Sequence, residues 1–169
     1  MNEIRAIVLD VDGVLTDGGF WWGPDGQEWK RFCFTDVMGI SLARKSGLLI
    51  ALVSGENSPL VDRFADKMGI ADVEKNCKDK ARALRCFAER HALAMSEICF
   101  MGDDVNDIEA MKMVGLPAAP ADAVPAVLIE AAFIARKNGG NGAVRELVDA
   151  VLQAKVAGVG THPDNHEAF

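Results

Sequence analysis

The sequence has no run of basic residues, no C-x-x-C pair and no long apolar segment, and each absence removes a class of protein. With 18 Lys and Arg against 25 Asp and Glu the formal charge is −7, and a surface of that sign repels a phosphate backbone. Nucleic acid is therefore not an expected partner. Cys33, Cys77, Cys86 and Cys99 lack zinc or redox spacing, and a chain of 169 residues needs no disulfide staples, so they read as reduced, mostly buried thiols. The first apolar stretch, Ala6 to Leu9, is too short and too closely flanked by charge for a signal peptide or a membrane span. A cytoplasmic protein with no membrane partner is the expectation. Length also sets a bound: at roughly 150 residues per domain there is no room for a large cap domain beside the core. One domain over 1–156 is expected, with a flexible tail over 157–169. His162 and His166 have a metal-compatible spacing but fall in that tail, GVGTHPDNHEAF.

Half of the residues are apolar, enough for a real core. Short apolar runs alternate with amphipathic stretches, the pattern of an α/β fold with a mostly parallel sheet. Strands are expected at Ile4 to Leu9, Leu48 to Val53, near Ala71 to Glu74, Glu97 to Met101, Leu116 to Ala119 and Phe133 to Ala135. Gly18-Gly19, the aromatics and the turn Gly23-Pro24-Asp25-Gly26 predict a β-hairpin over 17–34. Thr35 or Asp36 is placed to cap a helix running to Gly47; Ser58-Pro59 opens another that closes at Gly69. Further helices are expected from Asp79, over Asn106 to Val114, and over about Gly142 to Val156.

The chemistry gathers at strand ends, where an open α/β sheet forms its binding crevice. The first strand runs into Asp10-Val11-Asp12-Gly13, and alternation puts both carboxylates on one side, able to share a cation or divide nucleophilic and acid/base work. Gly102-Asp103-Asp104-Val105-Asn106-Asp107 sets three more acids after another strand. Such a group repels itself unless a cation neutralises it, and hard oxygen ligands suit Mg²⁺. Ser54-Gly55 offers a hydroxyl and an N–H for a phosphate, and Lys80 offers a positive charge.

These four signals, in this order, resemble the haloacid dehalogenase superfamily of phosphotransferases across about residues 4 to 155. The resemblance implies a Rossmann-like core with a hairpin flap after strand 1 and no cap. It implies Asp10 as the nucleophile that becomes an aspartyl-phosphate, and Asp12 as general acid/base. Mg²⁺ would be held by the Asp10 and Asp103 carboxylates and the Asp12 carbonyl, supported by Asp104 and Asp107. Ser54, Gly55 and Lys80 would bind the phosphoryl group.

The intervals from Asp12 to Ser54 and from Ser54 to Lys80 are too short for a cap, which is similar to the superfamily's capless sugar-acid phosphatases, whose tetramers close each other's sites. A homotetramer is thus implied, with Trp21, Trp22 and Trp29 at an interface, on a substrate wall, or packed on their own domain. TDGG, GQEWKRF, TDVMGI and NGGNGAVRE resemble the branch acting on 3-deoxy-2-keto sugar acids; its Gly-rich segment, here Gly139 to Gly142, and its tail approach a neighbour's site. Thr35, Asp36, Glu56 and Lys67 are the implied substrate contacts. Eight-carbon enzymes of this branch carry arginines where this chain has Glu56 and Phe64, and Glu56 with Lys67 looks like the nine-carbon branch of sialic acid biosynthesis. The expected function is a Mg²⁺-dependent phosphatase of a nine-carbon 2-keto-3-deoxy sugar acid. The alternatives are 3-deoxy-D-manno-octulosonate 8-phosphate phosphatase and a non-catalytic oligomerisation module accompanying a sugar-acid cytidylyltransferase.

Overall fold

The computed structural model describes residues 1–159. It follows the chain as β1 (Ala6–Leu9), a hairpin of β2 (Trp21–Trp22) and β3 (Glu28–Trp29), α1 (Phe34–Lys45), β4 (Leu49–Val53), α2 (Pro59–Met68), β5 (Asp72–Glu74) and α3 (Lys80–His91). The second half continues as β6 (Ile98–Met101), α4 (Ile108–Met111), β7 (Leu116–Ala119), α5 (Pro125–Glu130), β8 (Phe133–Ile134) and α6 (Ala143–Val159). Six strands form one parallel sheet in the order β5-β4-β1-β6-β7-β8. The chain therefore lays β4 and β5 to one side of β1, then crosses to lay β6, β7 and β8 on the other. Ala6 pairs with Leu49 on one flank and with Ile98 on the other, so the ends of β1, β4 and β6 open at one crevice.

β1 and β6 are buried at every position because both faces of the sheet are covered, which is why they read as unbroken apolar runs. Ile7 and Leu9 join Ile40, Val61, Phe64, Leu147 and Val151 on one face. Ala6 and Val8 join Leu84, Phe87, Met111 and Val127 on the other. This is the expected Rossmann-like architecture. Local punctuation is also as expected in α2, where the Ser58 side chain accepts from the Leu60 N–H, Pro59 takes the first turn, and Gly69 ends the helix at φ 62°.

Three local expectations are corrected. Neither Thr35 nor Asp36 caps α1: Cys33 occupies the cap position without a side-chain bond, and Thr35 is exposed in the first turn. Asp36 is instead 1% exposed and reaches across to the start of α6, accepting the Gly142 N–H at 3.0 Å and the Arg145 N–H at 2.9 Å. Its carboxylate is thus engaged by N–H groups at the start of α6. The helix expected over Asn106 to Val114 is reduced to a 3₁₀ turn, Val105–Asp107, and the four residues of α4. Across this turn the Asp107 side chain accepts the N–H groups of Asp103 and Asp104. α5 had no counterpart in the sequence reading, since six residues span less than two turns and show too little periodicity. α6 runs to Val159, past the expected end at Val156; the remainder of the expected tail, with His162 and His166, lies outside the described residues. No described helix is long and apolar enough to cross a membrane.

Asp36→Ala would leave two backbone donors at α6 without their partner. It is expected to lower unfolding stability by about 2 kcal/mol; urea denaturation checks this, and a change within error would show that Asp36 does not hold α6.

Candidate active site

The crevice is a cleft of about 280 Å³ lined by residues from every strand end that faces it, including Asp10, Asp12, Gly55, Glu56, Lys80 and Asp103. Asp10 leaves β1 and Asp12 follows after Val11, so both reach the same cleft as alternation requires. The turn beyond them closes tightly because residue 13 is glycine: its φ is +91°, and a Cβ there would lie 2.0 Å from Asp103 Oδ2. Gly139 closes the same turn from outside, since a Cβ there would lie 1.8 Å from the Gly13 carbonyl oxygen. The segment NGGNG thus backs the site within its own chain.

Lys80 is the cation at the centre. Its ammonium lies 3.0 Å from Asp10 Oδ1 and 2.5 Å from Asp107 Oδ1, with all three groups nearly fully buried. Burial opposes its charge, but Asp10 and Asp107 outweigh that and hold Lys80 above its ordinary value. Asp107 also accepts the N–H groups of Asp103 and Asp104 at 3.0 and 3.3 Å, so one carboxylate fixes both the lysine and the acid-bearing loop. Asp104 is exposed and caps the following turn through the Val105 N–H at 2.7 Å.

Carboxylate oxygens of Asp10, Asp103 and Asp107 lie within 4.8 Å of one another, and Asp103 Oδ1 is buried without a hydrogen-bond partner among the described residues. One lysine does not balance three crowded acids, two of them buried and Asp103 half-buried. Burial pushes Asp10 up to about 6 although Lys80 pulls it down. Burial, then repulsion from Asp10 and Asp107, pushes Asp103 up to about 8. An orphaned oxygen among crowded hard donors fits a divalent cation such as Mg²⁺. Bound there, such an ion would neutralise the acids and act as a Lewis acid toward a phosphoryl oxygen.

Of the expected phosphate ligands, Gly55 and Lys80 line the cleft, and Ser54 lies buried just beneath, its Oγ accepting the Glu56 N–H at 3.1 Å. That bond leaves the hydroxyl proton free to donate. Of the expected substrate contacts, only Glu56 lines the cleft of this chain. Lys67 lies elsewhere, over the Phe34 ring at 5.2 Å, beside a separate hollow of about 190 Å³ that includes Phe32 and Phe64. Thr35 is not among the residues lining the cleft, and Asp36 is occupied at α6. Lys30, which the sequence reading did not single out, pairs with Asp12. The signal available was alternation: in GQEWKRF, Glu28 and Lys30 must share a side of the hairpin strand.

An uncapped parallel sheet with two acids after its central strand, a buried lysine and a fitted cation cage defines a metal-dependent phosphoryl-transfer enzyme. The comparisons agree. Residues 37–147 match the family model of haloacid dehalogenase-like hydrolases. The chain is 38% identical over 154 residues to the 3-deoxy-D-manno-octulosonate 8-phosphate phosphatase KdsC of Escherichia coli K12, covering 91% of this chain and 82% of that protein. The phosphatase of the same name from Moraxella catarrhalis, solved with magnesium, phosphate and the sugar acid KDO, superposes with a TM-score of 0.89 at 31% identity, covering 95% and 94% of the two chains. A cobalt-bound Haemophilus influenzae phosphatase gives a TM-score of 0.89 at 30% identity, covering 92% and 91%. The chain belongs to the haloacid dehalogenase-like hydrolases, in their capless phosphatase branch, and is a phosphoric monoester hydrolase. The expected Mg²⁺ cofactor is borne out by the donor set and the metal-bound relatives.

A carboxyl raised in the folded state keeps its proton when the unfolded chain has released it. Between the ordinary 3.8 and about 8 for Asp103, the native chain binds more protons, so metal-free stability falls as pH rises through that window. Thermal melts in chelator are expected to show Tm declining from about pH 5 to about pH 8, and Mg²⁺ is expected to raise Tm most at the upper end, where it displaces fewer protons. A Mg²⁺ effect of equal size at both ends would contradict this.

Proposed function

We propose that the chain hydrolyses 3-deoxy-D-manno-octulosonate 8-phosphate, or a close 2-keto-3-deoxy sugar-acid phosphate, through a phosphoryl-enzyme formed on Asp10. The observation that carries the reading is the cleft itself: Asp10 stands 3.0 Å from the Lys80 ammonium, with the orphaned Asp103 oxygen beside it. The match of 91% of the chain to an eight-carbon phosphatase supports that substrate over the nine-carbon one expected from the sequence.

In this reading an Asp10 carboxylate oxygen attacks phosphorus in line with the leaving sugar oxygen, while Lys80 and the Gly55 N–H and Ser54 hydroxyl neutralise the phosphoryl oxygens. Asp10, Asp103 and the Asp12 carbonyl would hold Mg²⁺, with Asp107 and Asp104 bracing the loop. Asp12 gives its proton to the leaving alkoxide as the P–O bond breaks, then takes one from the water that hydrolyses the acyl phosphate. The repulsive acid cluster argues against a purely structural module.

The nine-carbon reading keeps one specific support: Glu56 lines the cleft next to Gly55, where a carboxylate would accept from sugar hydroxyls rather than pair with an acid. Assembly into a homotetramer is part of the same proposal. Phe20, Trp21, Trp22, Trp29 and Phe34 are all exposed in the single chain, an apolar surface suited to a second copy.

Asp10→Asn is expected to lower phosphate release by more than about 10³-fold, as loss of a covalent nucleophile does, without altering the circular dichroism spectrum. Full activity in that variant would sink the mechanism. Comparison of kcat/KM for the eight- and nine-carbon phosphates decides the substrate, and a preference of tenfold or more for the nine-carbon ester would reverse the assignment to Glu56's favour.

A further inference from the structure

The hairpin after β1 does more than cover the cleft. Glu28 and Trp29 form β3, and alternation sends Trp29 outward while Glu28 and the following Lys30 turn inward. Lys30 follows a strand of only two residues, yet its side chain is 1% exposed. Its ammonium makes an ion pair and hydrogen bond with Asp12 Oδ1, lies 3.1 Å from Glu28 Oε1, and sits 5.0 Å from the centre of the Phe20 ring. Among the described residues Glu28 Oε1 has no other partner. The next residue anchors the ribbon separately: Arg31 donates to the Gly140 carbonyl at 3.1 Å and to Asn141 Oδ1 at 2.7 Å, and lies 3.6 Å from Asp17. Arg31 therefore supplies the attachment of the hairpin, and Lys30 is left with a different task.

We propose that Lys30 is a positioning residue that fixes the rotamer of Asp12, so that the Asp12 carboxyl faces the leaving oxygen of the substrate. This rests on the reading of Asp12 as the general acid. An aspartate side chain in an open cleft has two free torsions, and neither main-chain neighbour restrains the Asp12 carboxyl. Lys30 supplies that restraint with a charge-assisted hydrogen bond, and Glu28 and Phe20 hold the ammonium in place from behind. Proton delivery depends steeply on such placement, because the donor must lie within hydrogen-bond reach of the departing oxygen. Lys30 itself exchanges no proton with substrate.

The consequence is a dependence on leaving group. An alkyl phosphate, with a poor leaving oxygen, needs the Asp12 proton as the P–O bond breaks; p-nitrophenyl phosphate, whose phenolate leaves unaided, needs it little. Lys30→Met is expected to lower kcat/KM for a primary alkyl phosphate such as glycerol 1-phosphate at least tenfold more than for p-nitrophenyl phosphate, with the alkyl loss mainly in kcat. Lys30→Arg keeps the charge and is expected to recover most of the alkyl-ester rate. All three tryptophans lie on the hairpin, so their emission reports separately whether the ribbon stays in place. Equal losses on both esters, with or without a change in emission, would overturn the positioning role. Asp12→Asn is the control: a leaving-group dependence there but not in Lys30→Met would leave the acid intact and remove only Lys30, whereas none in Asp12→Asn would remove the reading of Asp12 itself.

Discussion

Like charge, crowded out of water, is the constraint from which the rest of the site follows. Asp10, Asp103 and Asp107 bring carboxylate oxygens within 4.8 Å of each other at the point where the sheet order reverses, and Lys80 supplies a single opposing charge. Nothing in an isolated peptide would hold three acids so close. The sheet does it by anchoring Asp10 at the end of β1 and Asp103 beyond β6, two strands in direct register. Asp107 then uses its remaining oxygen to tie down the loop. The arrangement is unfavourable alone and favourable with a divalent cation, which converts the stored repulsion into affinity.

The same economy governs the surroundings. Gly13 and Gly139 let two loops approach until a single methyl group would block them, so the acids are clamped by backbone rather than by long side chains. Asp36 plays a matching part at a distance, fixing the start of α6 and hence the Gly-rich segment that rests on Gly13. With no cap domain, the short hairpin is the only element of the described chain that reaches over the cleft, and it does so through Lys30 while its aromatics remain exposed.

The parallel sheet and the strand-end acids were legible in the sequence because each depends on local rules: apolar runs of strand length, then Asp, Ser or Gly where a strand gives way to a loop. Asp10, Asp12, Gly55 and Asp103 fall at the cleft for that reason, and Lys80 joins them from the start of α3. The bond from Asp36 to α6 was not legible because that helix is remote in sequence, and a carboxylate that caps another element's helix looks the same as one that awaits a ligand. Lys67 was singled out by resemblance alone; within one chain it lies over the Phe34 ring. Lys30 was passed over because alternation in GQEWKRF pairs it only with Glu28, while its significance comes from the fold of the ribbon onto Asp12.

The central claim is that the acid cluster is a cation site held under repulsion. Asp103→Asn tests it most directly, through calorimetric Mg²⁺ titration and chemical denaturation of the metal-free protein. The account predicts that this variant loses Mg²⁺ binding and, above about pH 8 where the unsubstituted Asp103 is ionised and the variant removes one charge, becomes more stable than the unsubstituted chain in chelator. Unchanged Mg²⁺ affinity together with unchanged or lower metal-free stability would contradict it.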